Sequence, residues 1–477
     1  MPVDRRRESL YNAPLEKMEQ VPILIESGST THGQTRRCSI MTDNTHRGIL
    51  TELPNGLKVA THSMPQAKSL FVGIWVNAGA RDEQDNEAGI AHMLEHMAFK
   101  GTKSRTARDI AIEVEDVGGF MNAHTGKEET AYHMHLLPEH LDMGIDILTD
   151  ILINPTMPED EIERERGVII QEIGQSFDDP RDFVHELFIR AAYGEHTLGR
   201  SILGSVDNVK AFSRDDLKGF MNRHYGSGQM LVIASGAVEH DDFVRRIGAK
   251  LGCLQNARNV DRITPKWQGG RCIDARDLEQ MHIMVGLPAF GAHDDRHYAM
   301  DVLSILLGGG LSSRLFQEVR EKRGLCYHIG SVVESYSDTG QLLIIAGTSA
   351  EQANEMLEVT ASEIADLVDG VSSDETERAK TKVRAISVMA RESVEVCGKY
   401  LANQILMFGE PLDEEDVLNK YAAVQLADIK AVAADLINGG PPAIAAIGPE
   451  ADIMSRISGA PSISARMRRC RCCRAGR

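Results

Sequence analysis

Three residues close together in the chain could bind a metal ion and move a proton: His92, Glu95 and His96. On an α-helix, residues four apart share a face, so both imidazoles could bind one ion. Glu95 lies one turn from His92 and could reach a water molecule at that ion as a general base without being a ligand. Such a spacing would occur by chance, on a solvated helix face, somewhere in roughly a few per cent of chains of this composition. A second element must therefore support the assignment of a metal site.

That element is a second helix, predicted over residues 158–177. A proline followed by three acidic residues is typical of its N-terminus. Glu165 and Glu172 are seven residues apart and therefore share a face of the helix. A catalytic zinc site uses three protein ligands and a water molecule. Glu172 would complete a site of two histidines and one glutamate.

The order His-x-x-Glu-His is an inverted zinc peptidase motif. With Glu165 and Glu172 further along, it resembles the pitrilysin and insulinase family, M16, and most closely the β-subunit of mitochondrial processing peptidase and its bacterial relatives. The resemblance covers about residues 48–449. It implies a zinc metalloendopeptidase with one Zn²⁺ per chain that hydrolyses short or unfolded peptides. Glu95 would be the general base, and Glu165 would support a metal ligand.

The resemblance also implies two homologous α+β domains of the LuxS/MPP-like metallohydrolase fold. The zinc-binding domain is predicted at residues 47–256 and a catalytically silent domain at 267–450, with a linker at 256–266. Internal similarity supports this division, because residues 118–161 align with 323–375. In that register Ile386 stands opposite Glu172, and residues 301–304 replace the metal helix without offering ligands.

The silent half carries two residues that the resemblance places at the substrate. Arg320 and Tyr327 match an arginine and a tyrosine that reach the zinc site in the family. A guanidinium and a phenol can hydrogen-bond a peptide carbonyl and the oxyanion that forms during attack. By residue type alone, a solvated arginine and a core tyrosine are the simpler interpretation.

Other residues resemble the family's substrate contacts. Phe99 matches a position lining the pocket for the residue after the cleaved bond. Asn122 and Ala123 lie on a predicted edge strand, to which an extended peptide could add as a further strand. Asp182 and Glu186 match acidic residues that pair with substrate arginines, although a solvated surface explains them equally well.

Composition restricts the classes of partner. The 477 residues carry a net charge of −18, which argues against nucleic acid as a main partner and suits basic peptides. No apolar run reaches the ~18 residues that a membrane helix needs. The eight cysteines show no disulfide framework, which favours a reducing compartment. Three of them lie in a basic C-terminal tail at residues 451–477.

The N-terminal 46 residues are predicted to be a flexible extension. They mix arginines with acidic residues, so neither a secretory signal nor a typical transit peptide fits well. A bacterial cytoplasmic location is therefore expected, with the mitochondrial matrix as the alternative that the resemblance keeps open.

Several predicted elements would position these residues. The metal helix is expected to begin with Asn86 as its N-cap and to end near Lys100 and Gly101. A β-hairpin is expected at residues 120–135. Further elements are predicted as strands at 230–236, 280–285, 327–335 and 341–347, and as helices at 106–117, 139–152, 214–224, 240–251, 350–368, 373–392 and 394–407.

Three functions remain open at this point. The chain could be an active zinc endopeptidase, a non-catalytic scaffold resembling the core proteins of the bc1 complex, or a β-type catalytic subunit that needs a partner. Scaffold relatives tend to have lost ligands, whereas this chain has His92, Glu95, His96 and Glu172. The sequence does not decide between a homodimer and a heterodimer with a related M16 chain.

Overall fold

The computed structural model describes residues 48–257 and 261–449. Within them the chain forms two β-sheets, each packed against helices around a large apolar core. The predictions for the N-terminal extension and the basic tail lie outside the described residues. No helix in the described part combines the length and the apolar character needed to cross a membrane.

The first sheet has six strands in the order β1-β2-β6-β3-β5-β4. They are β1 Ile49–Glu52, β2 Lys58–Ser63, β3 Leu70–Val76, β4 Phe120–Thr125, β5 Thr130–Leu136 and β6 Met230–Gly236. β2 and β6 are parallel, and the other neighbouring pairs are antiparallel. Every residue of β3 is buried, as in a strand that is covered on both faces. β4 forms an edge of this sheet.

Eight α-helices belong to the first half of the described chain. They are α1 Ile90–Ala98, α2 Ala107–Glu115, α3 Leu141–Ile153, α4 Glu159–Asp178, α5 Pro180–Tyr193, α6 Val206–Ala211, α7 Arg214–His224 and α8 His240–Leu251. The predicted start of the metal helix α1 at Asn86 is wrong, because its N-cap is Gly89. Gly89 has a φ of 98°, a left-handed conformation through which a right-handed helix cannot continue. Asn86 lies instead in a short 3-10 turn.

The second half contains a five-stranded sheet in the order β7-β11-β8-β10-β9. Its strands are β7 Gly270–Ala275, β8 Met281–Ala289, β9 Cys326–Ser335, β10 Gly340–Thr348 and β11 Ala443–Gly448. Its helices are α9 His297–Gly308, α10 Ala353–Asp366, α11 Ser373–Ala390, α12 Val394–Phe408, α13 Glu414–Ala423 and α14 Leu426–Asn438. A π-helix covers Phe316–Glu321 and carries Arg320.

Two helices pack across the predicted domain boundary. α5 comes from the first half, yet Phe188 and Tyr193 pack in a cluster with Met284 and Leu343 of the second sheet. In return, α12 of the second half packs on the first sheet, where its apolar residues join a cluster with Phe71 and Trp75. Each sheet therefore buries one face against a helix from the other half. The domain boundary at residues 256–266 remains a prediction. Helices of each half pack on the other half across it.

A buried ion-pair network joins the two halves. The guanidinium of Arg81 donates to Asp338 Oδ2 and Oδ1 at 2.7 and 2.8 Å and also contacts Glu128. Glu128 in turn accepts hydrogen bonds from the backbone N–H and the hydroxyl of Ser337 at 2.8 and 2.7 Å. The side chains of Arg81 and Glu128 are 1% and 3% exposed. Because neither charge reaches water, both depend on the partners in this network for compensation.

Arg81→Leu is expected to lower the free energy of unfolding by about 3–5 kcal/mol, because it leaves a buried carboxylate without its main counter-charge. The measurement is the shift of the guanidinium chloride unfolding midpoint. Arg164→Leu is the control. The Arg164 side chain is 60% exposed, so its ion pairs with Asp160 and Glu161 should contribute ~1 kcal/mol or less to the free energy of unfolding. Equal shifts for both variants would contradict a dominant role for the buried network.

Candidate metal centre

The helix α1 carries His92, Glu95 and His96 into the core of the first half. Seven of its nine residues are buried, including His92 itself. The two imidazole rings lie with their centroids 4.6 Å apart, as expected for residues one helical turn apart. Packing of the apolar residues therefore holds both histidines in place.

Helix α4 brings Glu172 opposite these two histidines. His92 Nε2 and His96 Nε2 each lie 3.6 Å from Glu172 Oε2. These separations are too long for hydrogen bonds. Two ligand atoms bound at about 2.1 Å to a tetrahedral zinc ion would be about 3.4 Å apart. The spacing and the two-nitrogen, one-oxygen donor set therefore fit zinc.

The three side chains are the best metal-binding group in the described structure. Their ligand atoms all lie within 4.8 Å of one another, and no other three such side chains among residues 48–257 and 261–449 come this close. Burial, and next the neighbouring His96, lower the pKa of His92 to about 4. His92 is therefore neutral near pH 7, which is the form that binds metals.

Glu165 lies one layer outside these candidate ligands. Its Oε2 is 3.0 Å from His96 Nδ1, and its Oε1 is 2.6 Å from Lys100 Nζ. Burial alone would raise the pKa of Glu165, but the hydrogen bonds from Lys100 and His96 outweigh it and lower the pKa. An ionised Glu165 can accept the Nδ1–H of His96, which leaves Nε2 free to bind metal.

Glu95 is oriented by a residue outside α1. The hydroxyl of Thr125, the last residue of β4, donates to Glu95 Oε2 at 2.6 Å. Burial raises the pKa of Glu95, and the hydrogen bond from Thr125 acts in the opposite direction. One carboxylate oxygen is thus held by the edge strand, and the other can accept a proton.

Thr125→Val is expected to lower kcat for peptide hydrolysis by about 10-fold or more, because the carboxylate of Glu95 loses the partner that orients it. Zinc content should not change, since the Thr125 hydroxyl is bound to Glu95, which is not one of the candidate metal ligands. Thr125→Ser retains a hydroxyl and should recover most of the activity. A fully active Thr125→Val would show that this hydrogen bond does not orient Glu95.

Comparison with protein families agrees with this geometry. The sequence model described as "Insulinase (Peptidase family M16)" matches residues 58–206. The model described as "Peptidase M16 inactive domain" matches residues 211–383, so that the two together span more than half of the chain. The chain belongs to peptidase family M16. The M16 family and the order of an active-like half followed by an inactive one are confirmed.

Individual M16 relatives match over most of their length. An uncharacterized zinc protease of Streptomyces coelicolor is 37% identical over 412 residues, covering 84% of this chain and 90% of the relative. One from Rickettsia felis is 35% identical over 381 residues, covering 80% and 92%. The crystal structure of a protease from Helicobacter pylori superposes with a TM-score of 0.78 at 22% identity, covering 85% and 100%, which confirms the fold. The relatives named here are bacterial.

The structure places the two predicted M16 residues of the second half next to each other. The guanidinium of Arg320 lies over the rings of Phe316 and Tyr327, at 4.5 and 5.5 Å from their centroids. Tyr327 is 75% exposed at the start of β9, so it is not the core tyrosine of the simpler interpretation. Among the described residues, neither side chain is hydrogen-bonded to the candidate ligands His92, His96 and Glu172. The catalytic role of Arg320 and Tyr327 remains a prediction.

The remaining predicted substrate contacts fall in different environments. Phe99 follows α1 directly and packs against the core beside Tyr132, with ring centroids 6.1 Å apart. Asn122 is exposed and Ala123 half-buried on the edge strand β4. Asp182 and Glu186 lie on α5, the first exposed and the second partly buried. Their roles in binding remain predictions.

The sequence analysis missed two residues of the site. Thr125 lies within the hairpin predicted at residues 120–135 but was given no role, and Lys100 was placed only at a helix end. Their contacts with Glu95 and Glu165 join residues that are 30 and 65 positions apart, so helical periodicity carries no signal for them. The hairpin prediction could have suggested Thr125, because it places the end of β4 near the metal helix.

Proposed function

We propose that this chain is a zinc metalloendopeptidase that hydrolyses short or unfolded peptides. The observation that carries the proposal is the convergence of His92, His96 and Glu172, with ligand atoms within 4.8 Å, beside the non-ligand carboxylate of Glu95. A scaffold protein would have no need for this combination. Membership of family M16 supports a peptidase, and the names of its relatives support zinc.

The proposed roles follow from the chemistry of each group. A zinc ion at this site would lower the pKa of a water molecule and polarise the scissile carbonyl. Glu95 accepts the proton of the attacking water at its carboxylate and later delivers it to the leaving amine. Glu165, 3.0 Å from His96 Nδ1, would hold His96 in the tautomer whose Nε2 is free to bind the metal. Arg320 and Tyr327 would stabilise the developing negative charge on the carbonyl oxygen.

Substrate binding is proposed along the edge strand. β4 pairs with β5 on one side only, so an extended peptide could pair with its other side. Its backbone would then run beside Glu95, which Thr125 of the same strand holds. A folded protein cannot offer a free strand without unfolding, and this favours short or unfolded substrates. Phe99 would contact the residue after the cleaved bond, and Asp182 and Glu186 would attract substrate arginines.

The test is cleavage of an unfolded, arginine-containing peptide by the purified chain, with and without a metal chelator. Chelator-sensitive cleavage that returns on addition of zinc is the expected result. Bound zinc without cleavage would favour the partner-dependent β-type subunit, and adding a related M16 chain would then restore activity. A chain that binds no zinc would overturn the proposal.

A further inference from the structure

Helix α1 cannot cap its own N-terminus. Its N-cap is Gly89, which has no side chain, and its first turn contains no acidic residue. A larger residue does not fit, because a Cβ at Gly89 would lie 2.7 Å from the carbonyl oxygen of Leu203 and 2.9 Å from Gly204 Cα. The left-handed φ of 98° also disfavours any other residue. The first amides of the metal helix therefore need an acceptor from elsewhere.

Glu83 supplies that acceptor from the loop before the helix. Its Oε2 accepts from the backbone N–H of Gly89 at 2.9 Å, and its Oε1 accepts from that of Ala91 at 2.8 Å. Both oxygens of one carboxylate are thus bound to the start of α1. The residue is 3% exposed, so water does not replace these bonds.

We propose that Glu83 is a positioning residue for the metal site: by binding the first amides of α1, its carboxylate fixes where His92, Glu95 and His96 point. This inference rests on the proposed function. One hydrogen bond could fix the position of the helix along its axis. Two hydrogen bonds to the two oxygens of one rigid carboxylate also resist rotation of the helix about that axis. A rotation of ~20° about the axis would move side-chain atoms by about 2 Å, as much as a metal–ligand bond.

The environment of Glu83 extends to the hairpin that holds Glu95. Burial raises the pKa of Glu83, and the hydrogen bonds from Ala91 and Gly89 and the nearby charge of Lys127 act in the opposite direction. Lys127 lies in the turn between β4 and β5, and its ammonium donates to the backbone carbonyl of Arg200. Arg200 in turn donates to the backbone carbonyl of Glu83 at 3.3 Å. Arg200 therefore links the backbone of Glu83 to the hairpin that carries Thr125.

A cap that merely stabilised the fold would act differently from one that positions ligands. Loss of a structural cap lowers the melting temperature, yet it leaves zinc affinity and kcat unchanged once the protein is folded. Loss of a positioning cap weakens zinc binding and lowers kcat more than it raises KM, because the histidines and the base move together. Zinc affinity therefore separates the two roles without relying on activity.

The experiment compares Glu83→Gln with Glu87→Gln in the full chain. The amide keeps the size of the side chain but offers one acceptor atom, so one amide of α1 loses its partner. Glu87 is the matched control, since it lies beside the same helix start but bonds Gln84 and Arg223. We measure zinc affinity by competition with a chromogenic chelator, then kcat, KM and the Tm of the zinc-free protein.

For Glu83→Gln we expect zinc affinity to fall by about 10–100-fold, as for other outer partners of metal ligands, with a fall in Tm of about 2–4 °C. Glu87→Gln should match the wild type in zinc affinity. Zinc bound equally by wild type and Glu83→Gln would overturn the inference alone, whereas a wild-type chain without zinc affinity would overturn the proposed function as well. If Glu83→Gln does not fold, Glu83→Asp replaces it, because a shorter carboxylate cannot reach both amides, and the same two zinc outcomes decide.

Discussion

Glu95→Gln is expected to lower kcat for peptide hydrolysis by roughly 10²–10⁴-fold, the usual effect of removing a general base. The glutamine retains the size of the side chain and can still accept the hydrogen bond from Thr125. It cannot take a proton from water, because an amide is not a base near neutral pH. The measurement is the initial rate of cleavage of an unfolded peptide at saturating substrate.

The zinc content of Glu95→Gln should equal that of the wild type, because Glu95 lies outside the candidate ligand group. This result separates loss of the base from loss of the metal. Glu115→Gln, the same substitution at an exposed position of α2, serves as the control and should retain full activity. A Glu95→Gln variant that binds zinc and cleaves at the wild-type rate would exclude Glu95 as the base.

Glu172→Ala is expected to weaken zinc binding by more than about 100-fold, since even the loss of an outer partner costs about 10–100-fold. It removes the oxygen that lies 3.6 Å from both His92 Nε2 and His96 Nε2. Peptide cleavage should be lost together with the metal. Zinc should raise the Tm of the wild type and not that of the variant, because a ligand stabilises only the state that binds it.

The control for this substitution lies on the same helix. Glu163 is 69% exposed and pairs with Arg166 three residues on, so Glu163→Ala should bind zinc as the wild type does. Both variants lose one carboxylate from α4. A difference in zinc affinity between them therefore reports the loss of a specific ligand and not the change in the charge of the helix. Tight zinc binding by Glu172→Ala would show that the ion is held by other residues.

The secondary structure was predictable wherever the chain has a strong local pattern. Helices α7 and α8 and strand β6 begin and end where the sequence placed them. Strands β1, β7 and β11 were missed, because short apolar runs fit more than one kind of element. Helices α5, α6, α9, α13 and α14 were also missed. The start of α1 was wrong, because an asparagine at a plausible cap position does not reveal the left-handed glycine that ends the preceding loop.

By itself, the sequence determined the family, the two-part α+β architecture and the residues that could form a zinc site. This was possible because a helix puts residues four apart on one face, so the relation between His92 and His96 is set by helical geometry alone. A second predicted helix placed Glu165 and Glu172 on one face, and the resemblance to M16 then supported their pairing with the histidines, to which no local rule connects them.

Only the tertiary structure decided what holds these residues in place. The cap from Glu83, the hydrogen bond from Thr125, the network around Arg81 and the exchange of α5 and α12 each join parts of the chain that no periodicity relates. Such contacts form when buried polar groups and apolar faces find partners during packing, and any of several distant residues could have supplied them. The residue types of a site can therefore be predicted from local spacing, whereas its orientation depends on the folded chain as a whole.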